Sequence, residues 1–227
     1  MNIVNIDSYE IKTSRTEQKV PVVNGVHLHS IYNPFKEAEA VVEKFKNAFE
    51  EKSEVLILGL GFAYHVNAII NIMSKIHGDK FKIVVIEPNI QVYNDCVDLG
   101  LLNKKNVLVY SGYSACELYA DIDLVHFLLN KPTVVAHPTS FNLYQLYFKE
   151  FLTFEAPKTI GESMPFLTNP TVKNYLGSFE QHLKLSDILQ SSIPEKSRFT
   201  EMDFAAMALA EITKSIRSER SETGGNK

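Results

Sequence analysis

The sequence has only two cysteines and no excess of positive charge, and each shortage excludes a class of protein. Cys96 and Cys116 show no C-x-x-C spacing, which excludes a disulfide framework and a cysteine zinc site and predicts two reduced thiols. A formal net charge of −4 offers no bulk attraction to nucleic acid or to an anionic membrane. Neither partner is therefore expected.

Targeting signals are also lacking. The N-terminal residues MNIVNIDSYEIK contain no basic region followed by an apolar one, so we expect a cytoplasmic protein without a secretory signal. Val55–Ser74 carries no formal charge and has the length of a membrane span. Because Gly59, Gly61 and His65 interrupt it, this stretch favours a buried strand followed by a turn and a helix.

Alternating strand and helix patterns are what the sequence does contain. Short apolar runs predict strands near residues 55–58, 82–86, 107–110 and 133–136, and helical periodicity lies between them. Parallel neighbours need a crossover helix, so the pattern predicts an α/β protein with a Rossmann-like, mostly parallel, doubly wound sheet.

Glycine, proline and polar stretches divide the chain into four predicted regions. We predict an N-terminal β-arm at 1–32 with a hairpin at Asn24-Gly25, and a Rossmann-like domain at 33–157. A helical C-terminal extension at 158–218 and a disordered tail at 219–227 follow. Within this scheme single helices are predicted for 141–154, 169–189 and 200–216.

The turn after the first predicted sheet strand has the spacing of a nucleotide-binding loop. Gly59 and Gly61 allow a sharp turn and leave N–H groups free, and Glu87 ends the next strand, where such folds hold ribose hydroxyls. Tyr64 replaces the third glycine of the dinucleotide fingerprint and disfavours a pyrophosphate. With Ala63, the loop resembles that of S-adenosylmethionine-dependent methyltransferases and spermidine synthases, which implies S-adenosylmethionine or another nucleotide as cofactor.

Two more residues are expected at the same edge of the sheet. Ser111 and His137 end the third and fourth predicted strands, so they should converge with Gly59 and Glu87 at the carboxyl ends. Ser111 is assigned to cofactor binding. His137 is the candidate catalytic acid or base, against the alternative that it caps the next helix.

No metal site is predicted. His27 and His29 would lie on one face of a strand, but a third ligand is lacking nearby in the sequence. Exposed or hydrogen-bonded strand histidines are the expected reading of this pair.

Four segments resemble one family. They are HLHSIYNPFKEAE (27–39), VLILGLGFAYHV (55–66), VVIEPN (84–89) and VVAHPTS (134–140). In this order they are similar to the N-terminal part of the motility accessory factor family. The resemblance implies a link to flagellin glycosylation, in which nonulosonic acids pass from CMP-activated forms to serine and threonine. The family's central domain carries a G-P-S signature that this sequence lacks, so no catalytic residue is carried over.

Three functions stay open at this point. The first is an accessory or recognition domain beside a glycosyltransferase domain, with a nucleotide, a nucleotide-sugar or a flagellin-type protein as partner and with self-association as an open possibility. The second is a methyltransferase or aminopropyltransferase-like enzyme, for which we expect acidic residues after the third and fourth strands. The third is a structural interaction domain without a ligand.

Overall fold

A computed structural model describes residues 3–184 of the chain. The chain divides into two compact units, Met1–Phe154 and Glu155–Lys227. The predicted helix at 200–216, the end of the helix predicted at 169–189 and the predicted tail at 219–227 lie outside the described residues.

The N-terminal arm is a three-stranded antiparallel sheet, as predicted. It contains β1 (Tyr9–Thr13), β2 (Lys19–Val23) and β3 (Val26–His27) in the order β1-β2-β3. Asn24 and Gly25 join β2 to β3 with φ values of 50° and 77°, the left-handed geometry that tight hairpins require. The sequence pattern extends the strands to Ile31, but β3 ends at His27, where the chain bends.

The main sheet has four parallel strands and confirms the predicted α/β, Rossmann-like fold. The strands are β4 (Glu54–Leu58), β5 (Lys82–Glu87), β6 (Val107–Ser111) and β7 (Thr133–Ala136), in the order β6-β5-β4-β7. The register pairs Leu58 with both Ile86 and Ala136, so the strands end level with one another. The two central strands, β4 and β5, are apolar because both of their faces are buried.

Helices cover both faces of this sheet. On one face, α1 (Pro34–Glu51), α2 (Tyr64–His77) and α3 (Ile90–Asp98) pack against alternate strand residues such as Val55, Ile57 and Val85. On the other face, α4 (Ala115–Ala120), α5 (Ile122–Leu129) and α7 (Gln145–Leu152) pack against Leu56, Leu58 and Ile86. The period-2 alternation of the strands thus serves two separate cores.

Residues 141–154 form two helices where the sequence predicts one. Helix α6 (Pro138–Leu143) ends at Tyr144, which has φ −107° and ψ 34°, and α7 starts at Gln145. The apolar residues of 141–154 predict a helix that is buried on several sides, but Phe148 is fully buried while Leu146 is 84% exposed. The break lets α7 pack on the sheet with one apolar face.

The described part of the second unit is short and helical. It contains α8 (Ile160–Ser163), a 3-10 helix at Met164–Phe166 and α9 (Pro170–Gly177). Asn169 caps α9, accepting hydrogen bonds from the backbone N–H groups of Thr171 and Val172. The helix predicted at 169–189 therefore starts where expected but ends early, at Gly177. Among the described residues no helix is long and apolar enough to cross a membrane.

Candidate functional site

The strand order places a topological switch point between β4 and β7. The chain proceeds from β4 outward to β5 and β6, and then returns to the other side of β4 with β7. In open α/β sheets the loops that leave two such strands diverge and form a crevice outside their carboxyl ends. The segments after Leu58 and Ala136 border this crevice, so the predicted site residues Gly59, Gly61 and His137 lie there.

Side chains of the protein itself approach both glycines. Gly59 and Gly61 have φ values of 96° and 50°. A Cβ at Gly59 would overlap Ser140, and a Cβ at Gly61 would overlap the ring of His29. Close packing within the protein therefore requires glycine at both positions.

Glu87 lies at the end of β5, as predicted, but its carboxylate is fully buried. Its oxygens accept hydrogen bonds from the backbone N–H groups of Leu60 at 2.7 Å and Asn89 at 3.0 Å. Burial raises the pKa of Glu87 to about 7, against the opposite effect of backbone N–H donors that include Gly61. The carboxylate thus holds the glycine turn against the end of β5.

Tyr64 and Ser111 take different positions around this rim. The Tyr64 hydroxyl donates to the carbonyl of Lys19 at 2.7 Å, so the phenol ties α2 to the N-terminal arm. Ser111 pairs with Glu87 in the register of β5 and β6, and its buried hydroxyl has no hydrogen-bond partner among the described residues. The assignment of Gly59, Gly61, Glu87 and Ser111 to cofactor binding stays a prediction.

Three buried histidines meet in the crevice. His29 lies between the arm and α1, His65 in the first turn of α2, and His137 directly after β7; they are 3%, 2% and 1% exposed. The ring centroids of His65 and His137 are 4.4 Å apart, and the planes of these two rings are nearly parallel. The ring centroids of His29 and His137 are 4.6 Å apart. We call these three residues the histidine cluster.

Each histidine is held by a neighbouring oxygen atom. His65 Nε2 lies 3.0 Å from the carbonyl oxygen of Gly59, and His137 Nδ1 lies 2.7 Å from the hydroxyl of Ser140. His29 Nδ1 lies 3.5 Å from Glu37 Oε2. The other nitrogen of His29, Nε2, accepts a hydrogen bond from the Phe62 backbone N–H at 2.9 Å.

Glu37 is the charged neighbour of the histidine cluster. It lies in the first turn of α1, its side chain is 29% exposed, and Oε1 is 3.9 Å from His137 Nε2. Burial alone would raise its pKa, but hydrogen bonds from His29 and from the Ser30 backbone N–H lower the pKa below its ordinary value. A carboxylate therefore faces the cluster.

Burial keeps two members of the cluster neutral. It lowers the pKa of His65 to about 3, and the nearby His29 adds to this effect. Burial, with His65 and His29 nearby, also lowers the pKa of His137 well below 6.5. His137 thus has a pKa far from the near-neutral value that the sequence interpretation assumed for a catalytic acid or base.

Sequence reasoning missed the cluster because its members are far apart in the chain. The sequence pairs His29 with His27, which lies in β3 and outside the cluster, and it offers no third ligand near them in the chain. One signal was available: His65, just past the glycine turn, and His137 each follow a predicted strand, and the carboxyl ends of parallel strands lie at one edge of a sheet.

A separate groove of about 530 Å³ lies between the N-terminal segment and the α6–α7 region. Asn5, Asn142 and Glu150 are among the residues that line it. None of the predicted site residues lines this groove.

Comparisons with known proteins add little. No family model matches the sequence, and no curated protein does. Among solved structures, the crystal structure of MnmC2 from Aquifex aeolicus aligns with 14% identity and a TM-score of 0.33. The alignment covers 49% of this chain and 45% of that one, so the chain spans less than half of that structure's length. A likeness at this level carries no argument about function.

Proposed function

We propose that this chain is a recognition domain of the motility accessory factor type, working beside a glycosyltransferase domain in the glycosylation of a flagellin-type protein. One observation carries the proposal: the four segments that resemble the family, 27–39, 55–66, 84–89 and 134–140, supply the residues of one connected site. The resemblance thus rests on a group of contacting residues and not on scattered core positions.

Hydrogen bonds connect the four segments directly. His29 of the first segment accepts from Phe62 of the second, and Glu87 of the third accepts from Leu60 of the second. The backbone N–H of His137, in the fourth segment, donates to the carbonyl of Leu58 at 2.9 Å. Buried polar networks of this kind fix a single local arrangement, which supports a common role for the four segments.

The first segment also offers a surface for a protein partner. Tyr32 and Phe35, which belong to the same segment as His29 and Glu37, are 56% and 51% exposed. The Arg15 guanidinium lies 4.5 Å from the centre of the Tyr32 ring. Exposed aromatic rings with a neighbouring arginine are typical of the central residues of protein interfaces.

The methyltransferase alternative gains no support from this geometry. Glu87 is fully buried and its oxygens accept from Leu60 and Asn89, so ribose hydroxyls could reach its carboxylate only if the residues around it moved. Nucleotide binding at this loop therefore carries an additional free-energy cost.

Gene deletion tests the proposal. We expect the flagellin-type protein of the deletion strain to lose glycan mass in intact mass spectrometry, and the wild-type gene to restore it. The double variant Tyr32→Ala/Phe35→Ala should restore less, whereas Leu146→Ala, which changes a residue that is 84% exposed outside the four segments, should restore fully. An unchanged mass in the deletion strain would overturn the proposal.

A further inference from the structure

Two ring nitrogens of the histidine cluster have no hydrogen-bond partner within the described residues. They are Nδ1 of His65 and Nε2 of His137, and both atoms are buried. Leaving a buried polar atom without a partner is unfavourable, and such atoms in a folded protein call for a specific explanation.

Hydrogen bonds to the opposite nitrogens determine what these atoms can do. A carbonyl oxygen only accepts, so His65 Nε2 carries the proton donated to Gly59 and Nδ1 presents a lone pair. When His137 Nδ1 donates to Ser140 Oγ, its Nε2 presents a lone pair as well. Both unpartnered nitrogens are then electron-pair donors directed into the protein.

His29 follows the same arrangement through a carboxylate. Its Nε2 accepts from the Phe62 N–H, so the proton of the neutral ring is on Nδ1, where it faces Glu37 Oε2. All three rings thus have one nitrogen held by an oxygen: a carbonyl, a hydroxyl and a carboxylate. Metal-binding histidines in proteins are oriented by such outer partners.

We propose that His29, His65 and His137 bind one divalent transition-metal ion of the zinc class, with Glu37 orienting His29 and balancing charge. One potential ligand atom from each residue lies within 4.8 Å of the others. Zinc–nitrogen bonds of about 2.0–2.1 Å require the three atoms to move closer together, and His29 has to release the Phe62 N–H.

The donor set determines the class of ion. Three imidazoles suit zinc, copper, nickel or cobalt, whereas magnesium and calcium prefer oxygen ligands. Three protein ligands leave a fourth position for water or a ligand. The side chain of Glu37, which is 29% exposed, comes within 3.9 Å of His137 Nε2.

The stacking of His65 and His137 adds a geometric requirement. Their planes differ by 5°, and a metal ion lies close to the plane of each imidazole that binds it. Two separate parallel planes share no point, so one ring has to rotate when the ion binds. Metal binding should therefore shift the imidazole NMR signals of both residues.

The test is a titration of the full chain after treatment with a chelator. Calorimetry with Zn²⁺ and visible absorption with Co²⁺ should both show one ion per chain, with the intense visible bands of a low-coordinate site and no thiolate charge-transfer band. His65→Gln and His137→Gln should abolish this binding. Glu37→Gln should weaken it about 10- to 100-fold, because it removes an outer partner.

His27→Gln is the matched control, since His27 lies two positions from His29 but outside the cluster, and it should bind like the wild type. Circular dichroism establishes that each variant is folded. Should a cluster variant fail to fold, the wild type and Glu37→Gln decide the question. The inference is overturned if the wild type takes up no stoichiometric metal, or if His27→Gln loses binding as His65→Gln does. These outcomes are independent of the proposed role in glycosylation.

Discussion

The carboxylate of Glu87 accepts a hydrogen bond from the backbone N–H of Leu60 at 2.7 Å, which joins the end of β5 to the turn that follows β4. Twenty-seven positions separate these residues in the chain. Through this hydrogen bond Glu87 stabilises the glycine turn. The same turn contacts the histidine cluster, where the Phe62 N–H donates to His29.

Replacing Glu87 with glutamine should destabilise the protein by about 1–3 kcal/mol, because the amide nitrogen cannot accept from a backbone N–H and one buried donor loses its partner. Urea unfolding measures the effect. Glu39→Gln, which changes an exposed carboxylate on α1, should alter the free energy of unfolding by less than about 0.5 kcal/mol. Equal effects from both variants would contradict a bracing role for Glu87.

Glu87→Gln should also change how stability depends on pH. Between pH 4.5 and 7 the folded protein holds a proton on Glu87 that the unfolded chain has released, so this residue makes stability fall as pH rises. His65, with a folded pKa of about 3 against 6.5, acts oppositely: the unfolded chain holds the extra proton, and stability rises with pH.

The two contributions oppose each other between pH 4.5 and 6.5. Removing the Glu87 carboxyl should therefore make the stability of the variant rise more steeply with pH than that of the wild type. Urea midpoints measured across this window check the slope. A slope that is unchanged or shallower would show that Glu87 is ionised throughout.

Gly61→Ala should destabilise the protein more than Gly100→Ala. Both glycines have positive φ, 50° and 65°, so each alanine carries a conformational cost of about 1–2 kcal/mol. A methyl group at position 61 also overlaps the ring of His29, whereas position 100 is open. Overpacking adds about 1–3 kcal/mol.

The difference between the two unfolding free energies isolates the contact with His29. Gly61→Val, with a larger side chain, should destabilise at least as much as Gly61→Ala. If Gly61→Ala and Gly100→Ala proved equally stable, the turn would have enough freedom to move away from the ring.

Phe148→Ala should cost about 3–5 kcal/mol, because it leaves a cavity in the core between α7 and the sheet. Leu146→Ala on the same helix should have an effect near zero, since this side chain is 84% exposed. Thermal and urea unfolding of the pair test whether α7 presents one apolar face. A large loss for Leu146→Ala would show that a partner covers that residue.

Hydrophobic patterning was sufficient to predict most of the fold. The strands at 54–58, 82–87, 107–111 and 133–136 match the predicted runs within a residue or two, since buried parallel strands are apolar on both faces. The hairpin at Asn24-Gly25 was predictable for a similar reason, because few residue pairs accept two left-handed conformations. The break at Tyr144 was not, because tertiary packing overrides an apolar helical pattern.

The sequence by itself determined that strands and helices alternate, that β4 is followed by a glycine turn, and that Glu87 and His137 stand at strand ends. These features depend on local periodicity and on backbone conformations open to few residues. Only the tertiary structure decided what the residues touch. His29 contacts Gly61 from the arm, and Glu87 accepts a hydrogen bond from Leu60 of the glycine turn. The strand order brings these distant segments to one crevice, and no local pattern encodes such contacts.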